Sequence, residues 1–255
     1  MDTLTVIKVG GKIVEEEDVL NRFLADFSRI EGYKLLVHGG GSLATKIATR
    51  LGVECRMIDG RRITDAEMLK VVTMVYGGWV NKMIVARLQA YGVNAVGLTG
   101  ADLNVIRSVK RPVREIDYGF AGDIEQVDAH QFGLLLVQDI VPVLSPLTHD
   151  RQGNLLNTNA DTIAAETAKA LTRYFSVTLV YCFEKNGVLR DEADENNVIP
   201  EINHEIYERY KEQGVIHGGM IPKLDNAFRA IDAGVKRVII TQASAILDNK
   251  GTIVQ

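Results

Sequence analysis

Short apolar runs rich in β-branched residues recur along the chain, at Leu4 to Val9, Lys34 to Val37, Val93 to Leu98, Ile140 to Leu144, Val177 to Tyr181 and Val235 to Thr241. Runs this short and this apolar read as strands buried on both faces. Between most of them the apolar positions change to helical spacing, as in the stripe Val19, Leu20, Phe23, Leu24 and Phe27. Strand alternating with helix predicts an α/β fold. Its central sheet is mainly parallel with helices on both faces, and its ligand site lies at the carboxyl ends of the strands.

Three glycine turns punctuate this pattern. The run Leu35-Leu36-Val37-His38-Gly39-Gly40-Gly41-Ser42 leads from a strand through glycines into a helix carrying Leu43, Ile47 and Leu51. Such a turn brings backbone N–H groups against a ligand at the positive end of a helix, which suits an anion, most often phosphate. Gly39-x-Gly41-x-x-Ala44 also satisfies the loose dinucleotide fingerprint, and a plain strand-to-helix turn explains it equally.

The second turn, Gly10-Gly11, follows Lys8 in the strand Val6-Ile7-Lys8-Val9. A lysine in a doubly covered strand needs an anionic partner, unless its stem carries the ammonium out to water. The third is Gly218-Gly219, ahead of Pro222-Lys223 and a helix predicted over Leu224 to Ala233. Pro222 suits a first helical position, and Lys223 then stands at the positive pole, where a bound anion resolves the conflict.

Further polar groups cluster near predicted helix starts. Thr64 and Glu67 have capping-box spacing, so a helix is predicted from there to about Ala90. Its Met68, Val71, Val72, Val75 and Trp79 suggest either burial or a subunit interface. Arg62 stands just before this cap, placed to fork onto a carboxylate or to be a solvated or structural loop residue. Residues from Arg111-Pro112 to Gln126 read as a hairpin or flap. Asn157 or Asn159 caps a helix from Thr162 to Leu171, with Asp161 a favourable first-turn acid. A functional reading of the same stretch has the asparagines holding a ligand carboxylate or carbonyl while Asp161 pairs with nearby lysines.

With 255 residues, of which 46% are hydrophobic, the chain can bury a substantial core as one domain or two lobes. The net charge is −4 and its basic residues are scattered, which gives no reason to expect nucleic acid as a partner. The two cysteines, Cys55 and Cys182, lie far apart without metal-ligand spacing and are expected to be buried. The chain runs directly into its first strand, and a reducing cytoplasm is the expected location. There is no Walker-A lysine pattern and no protein-kinase catalytic loop, so phosphate chemistry here would rest on positioning and charge neutralisation.

Taken together, Ile7 to Gly11, Val37 to Gly41, Asp59-Gly60-Arg61-Arg62-Ile63-Thr64, Leu156 to Asp161 and Gly218 to Lys223 resemble the amino acid kinase superfamily, and within it the acetylglutamate kinases of arginine biosynthesis, over essentially the whole chain. The resemblance implies a three-layer αβα sandwich in two lobes. Residues 1–170 would bind the acyl amino acid and dimerise, and residues 171–255 would bind nucleotide. It implies ATP as co-substrate, Mg²⁺ arriving on the nucleotide phosphates, and a homodimer built through the long helix after Thr64. Lys8 and Lys223 would flank the transferred phosphoryl group, with Asp161 orienting them. Gly10, Gly11 and Gly219 would serve the nucleotide phosphates, and Gly40 and Gly41 the reacting carboxylate. Arg62, Asn157 and Asn159 would hold the α-carboxylate side of the substrate.

Two departures from the family pattern qualify the resemblance. Tyr181-Cys182-Phe183-Glu184 replaces the usual Thr/Ser-Asp-Val, leaving the adenosine contacts and a non-catalytic nucleotide sensor as open readings. Arg61 replaces an apolar residue, which admits a dicarboxylic acyl group such as succinyl. A dinucleotide oxidoreductase is a third reading, with Asp59 as its sole ribose-binding acid.

Overall fold

The fold is that of a computed structural model, which describes every residue except Asp59, Glu192 and Asn249. Its strands are β1 (Thr3–Val9), β2 (Tyr33–His38), β3 (Met57–Ile58), β4 (Arg61–Arg62), β5 (Ala95–Leu98), β6 (Ile106–Lys110), β7 (Gly122–Val127), β8 (Val141–Leu144), β9 (Leu147–His149), β10 (Leu155–Asn157), β11 (Ser176–Phe183), β12 (Glu201–Ile202), β13 (Arg237–Gln242) and β14 (Thr252–Val254). The α-helices are α1 (Gly11–Glu15), α2 (Glu17–Ser28), α3 (Gly41–Arg50), α4 (Ala66–Val72), α5 (Asn81–Ala90), α6 (Ala129–Val137), α7 (Ala160–Leu171), α8 (His204–Glu212) and α9 (Met220–Asp232).

Eight strands form the central sheet in the order β12-β14-β13-β11-β1-β2-β8-β5, parallel except where β13 meets β14. Each predicted strand forms within a residue or two of its sequence bounds. Residues alternate between two cores along the inner strands. Leu4 and Val6 pack beneath α7 with Ile163 and Leu171, whereas Ile7 and Val9 pack beneath α2 with Phe23 and Phe27. The three-layer αβα arrangement follows, because both faces of a parallel sheet must be covered.

Local chemistry modifies several expected boundaries. Asp65, not Thr64, caps the helix after Arg62, its carboxylate accepting from Met68 N at 2.8 Å. Thr64 instead donates to Arg62 O. The helix does continue to Ala90, but through a π-helical segment, Thr73–Val80. Met68, Val71, Val72 and Val75 are buried within the chain itself, and only Trp79 of the five apolar residues named above is exposed, at 67%. Helix α9 begins at Met220, so Pro222 is its third residue rather than its first. That placement costs no hydrogen bond, since the first four N–H groups of a helix lack internal partners.

The segment 111–126 is the connection after β6 together with most of β7, which pairs antiparallel with β6 within a second sheet of order β10-β9-β6-β7 that the strand pattern did not announce. Cys182 is buried, but Cys55 is only partly so.

Candidate active site

Lys8 shares a strand face with Leu4 and Val6, so its side chain leaves β1 on the face that α7 covers. There the first turn of α7 presents Asp161. Asn159 fixes that turn as its N-cap, accepting from Thr162 N at 3.0 Å. Lys8 Nζ lies 2.7 Å from Asp161 Oδ1, and Lys223, from the first turns of α9, donates to Oδ2 at 3.1 Å. Three residues from three distant parts of the sequence therefore meet as predicted. Burial alone would raise the Asp161 carboxyl, but the two ammonium charges hold it down at about 2. The group is a fixed carboxylate between two cations. Tyr181, on β11, donates its hydroxyl to Asp161 O at 3.2 Å and ties the helix start to the sheet.

The first two glycine turns touch. A Cβ on Gly11 would stand 3.2 Å from Gly40 N, and one on Gly39 would stand 3.0 Å from Gly11 N. Only residues without side chains let the N-termini of α1 and α3 come this close. Gly10 donates its N–H to Cys182 O at 3.0 Å, extending the β1–β11 ladder. That bond corrects the expectation for Gly10, because its amide is already engaged. Gly11, Gly40 and Gly41 line the cleft. Gly219 is the N-cap of α9 and borders the other end of it.

Arg62 is buried rather than solvated. It donates to Gly41 O at 2.7 Å and Thr45 Oγ1 at 2.9 Å, and also contacts Cys55 Sγ. Asn157 donates to Thr64 Oγ1 at 2.9 Å, closing the wall opposite the glycines.

These groups line two neighbouring cavities that share part of their walls. One of about 240 Å³ holds Lys8, Gly11, Gly40, Gly41, Arg62 and Asn157. One of about 980 Å³ holds Asp161, Lys223, Gly219 and Arg229. Arg61, Arg111 and Asn159 border both. Asp59 lies outside the described residues.

Sequence reasoning missed Tyr76, whose ring packs where a Gly40 Cβ would meet it at 3.1 Å, and Arg111, which pairs with Asp123 at the cleft border. Tyr76 gave no signal because it sits within a continuous apolar run. Arg111 stood in a segment read only as a cover.

Among the described residues no cluster of His, Cys, Asp and Glu could hold a metal ion, and Asp161 is occupied by its lysines.

The class this defines is an αβα-sandwich protein whose cleft carries two lysines paired through one aspartate beside close-packed glycine turns. A model of the amino acid kinase family matches residues 3–242, and the chain belongs to that family. It is 69% identical over 251 residues to an acetylglutamate kinase of Bacteroides thetaiotaomicron, covering 98% of each chain. It is 38% identical to one from Methanopyrus kandleri, covering 99% of this chain and all of the relative. Carbamate kinase from Giardia lamblia bound to AMP-PNP superposes with a TM-score of 0.72 at 15% identity, over 98% of this chain and 97% of the other. At that identity the likeness concerns the fold.

Proposed function

We propose that this chain transfers the γ-phosphoryl group of ATP to the γ-carboxylate of N-acetyl-L-glutamate, giving N-acetyl-L-glutamyl 5-phosphate for arginine biosynthesis. The observation that carries the reading is Asp161 bridging Lys8 and Lys223 where the two cavities meet. The acetylglutamate kinases that match the whole chain support it.

A glutamate γ-carboxyl, ordinarily near 4.3, is already ionised at neutral pH, so no general base is required. The obstacle is repulsion between carboxylate and triphosphate, roughly 4 kcal/mol per charge pair at 4 Å in a protein-like dielectric. Lys8 and Lys223 offset it, with Asp161 holding their directions. Arg62, Asn157 and Asn159 hold the α-carboxylate side of the acyl amino acid. Gly40 and Gly41 donate to the reacting carboxylate, and Gly11 and Gly219 to the nucleotide phosphates. Mg²⁺ bound through those phosphates supplies further neutralisation.

Residues 1–170 form the acyl-amino-acid lobe and 171–255 the nucleotide lobe, joined where β1 pairs with β11. Exposed Trp79 and Met74 on the long helix are the contact of a homodimer. Unpaired Cys55 and Cys182 suit a reducing cytoplasm.

Arg61 favours a second reading, with N-succinyl-L-glutamate as substrate. It borders both cavities and has no ion-pair partner among the described residues, so an extra ligand carboxylate would find it free. A coupled ADP-release assay with both acyl-glutamates tests these readings. Turnover of the acetyl compound supports the first, and a clear preference for succinyl the second. ATP binding with no acyl-glutamate-dependent ADP release contradicts both and favours a sensor.

A further inference from the structure

Behind the Gly39–Gly41 turn, outside this machinery, runs a buried chain of hydrogen bonds. His38, the last residue of β2, has no solvent exposure and lines neither cavity. Its Nδ1 lies 2.8 Å from Gly39 O and its Nε2 lies 3.2 Å from Asn81 Nδ2. Asn81, equally buried where the π-helical segment passes into α5, also donates through Nδ2 to Val143 O at 2.9 Å. Its Oδ1 accepts from Lys82 Nζ at 3.2 Å. The Val143 carbonyl can only accept, which fixes the orientation of the Asn81 amide. Nδ2 is then a donor toward His38, so Nε2 accepts and the ring proton sits on Nδ1, where it donates to Gly39 O.

That bond constrains more than one carbonyl. In a planar trans peptide the C=O of Gly39 and the N–H of Gly40 point in opposite directions. A carbonyl held inward by the imidazole therefore turns the Gly40 N–H outward, on the side where Gly39, Gly40 and Gly41 line the cleft. Among the described residues no backbone acceptor engages Gly40 N, whereas Gly39 N is taken by Val9 O at 3.0 Å.

We infer that His38 is a positioning residue for phosphoryl transfer: held in one tautomer by Asn81, it aims the Gly40 amide at the reacting group through the Gly39 carbonyl. The inference rests on the kinase reading above, in which Gly40 donates to the reacting carboxylate. His38 does not act as an acid or base. Burial, opposed by the Gly39 bond and reinforced by the Lys82 charge, lowers its imidazole to about 4, so the ring is neutral at working pH.

The experiment has two arms. Long-range ¹H–¹⁵N NMR of the histidine rings in the unliganded enzyme reads the tautomer without reference to activity. The Nδ1–H form at His38 is expected, and the Nε2–H form overturns the inference. The kinetic arm begins with wild-type turnover of N-acetyl-L-glutamate, whose absence refutes the kinase reading and leaves the tautomer result intact. Given an active wild type, His38→Leu lowers kcat by at least about thirtyfold, as expected for a misaimed oxyanion donor. KM for ATP stays within about threefold, since the other phosphate donors are untouched. His38→Asn, whose amide nitrogen can take the place of Nδ1, recovers most of the loss. Asn81→Leu keeps the imidazole but frees its tautomer, giving an intermediate rate and a mixed NMR signature, and it serves where His38→Leu does not fold. A His38→Leu enzyme within about threefold of wild-type kcat, or a His38→Asn enzyme no faster than His38→Leu, overturns the positioning role.

Discussion

Lys223 donates to Asp161 across the cleft at 3.1 Å, so a residue near the start of α9 is tied to the first turn of α7 by a carboxylate that also holds Lys8. The two lysines thus share one anchor. Removing either leaves the other paired and one positive charge missing from the transfer site. Lys8→Ala and Lys223→Ala are each expected to lower turnover at least about a hundredfold, equivalent to about 2.7 to 4 kcal/mol of transition-state stabilisation. Circular dichroism should show the fold intact, because neither side chain belongs to the apolar cores.

Asp161 links activity to acid stability. Its carboxyl sits at about 2 against an ordinary value of 3.8. A group lowered on folding stabilises the native state above its unfolded value, and the contribution disappears as pH falls through the native one. At about 1.4 kcal/mol per pH unit the gap amounts to roughly 2 kcal/mol. Urea melts of wild type and Asp161→Asn should therefore differ by about that amount at neutral pH. The two should converge as pH falls from about 4 toward 2, and a difference independent of pH would contradict the ion-pair account.

Arg62 lines the cleft and braces Gly41 through its carbonyl. Lysine keeps the charge but loses the fork that serves Gly41, Thr45 and a ligand together. Arg62→Lys should raise KM for the acyl-glutamate by about tenfold or more and lower kcat as well, which separates it from a variant that only weakens binding.

Close approach of the glycine turns makes Gly11→Ala costly, since its new methyl would press on Gly40 N at 3.2 Å, a backbone atom with no freedom to withdraw. A loss of about 1 to 3 kcal/mol of stability is expected, with activity falling further than stability. Gly133 in α6 is the control. It has open space around its Cβ position, and Gly133→Ala should be stabilising by about 0.5 to 1 kcal/mol in the same urea melts.

Trp79 and Met74 expose large apolar surface on the long helix. If they form the dimer contact, Trp79→Glu should shift the mass measured by light scattering from dimer to monomer.

The central sheet was legible because doubly buried strands advertise themselves as apolar runs. The lysine–aspartate cluster was legible because a lysine in such a strand, and another at a helix start, violate local rules unless an anion binds. The β6–β7 and β9–β10 pairs were harder, since Ile106–Lys110 and Gly122–Val127 are half-exposed segments with several charged residues. The capping residue was misplaced by one because Thr64 and Asp65 both suit the role, and only the partly buried bond from Asn157 to Thr64 decides between them. His38 carried no distinguishing mark in sequence. Its part depends on Asn81, which reaches it only after the long helix folds back against the sheet.

The most direct test traps the product. An acyl phosphate reacts with hydroxylamine to give a hydroxamate, so ATP-dependent hydroxamate formation from N-acetyl-L-glutamate reports transfer to the carboxyl group itself. Wild-type protein should form it, with Lys8→Ala and Lys223→Ala at least about a hundredfold slower. No product from wild type, or either variant working within about tenfold of it, would contradict phosphoryl transfer between the paired lysines.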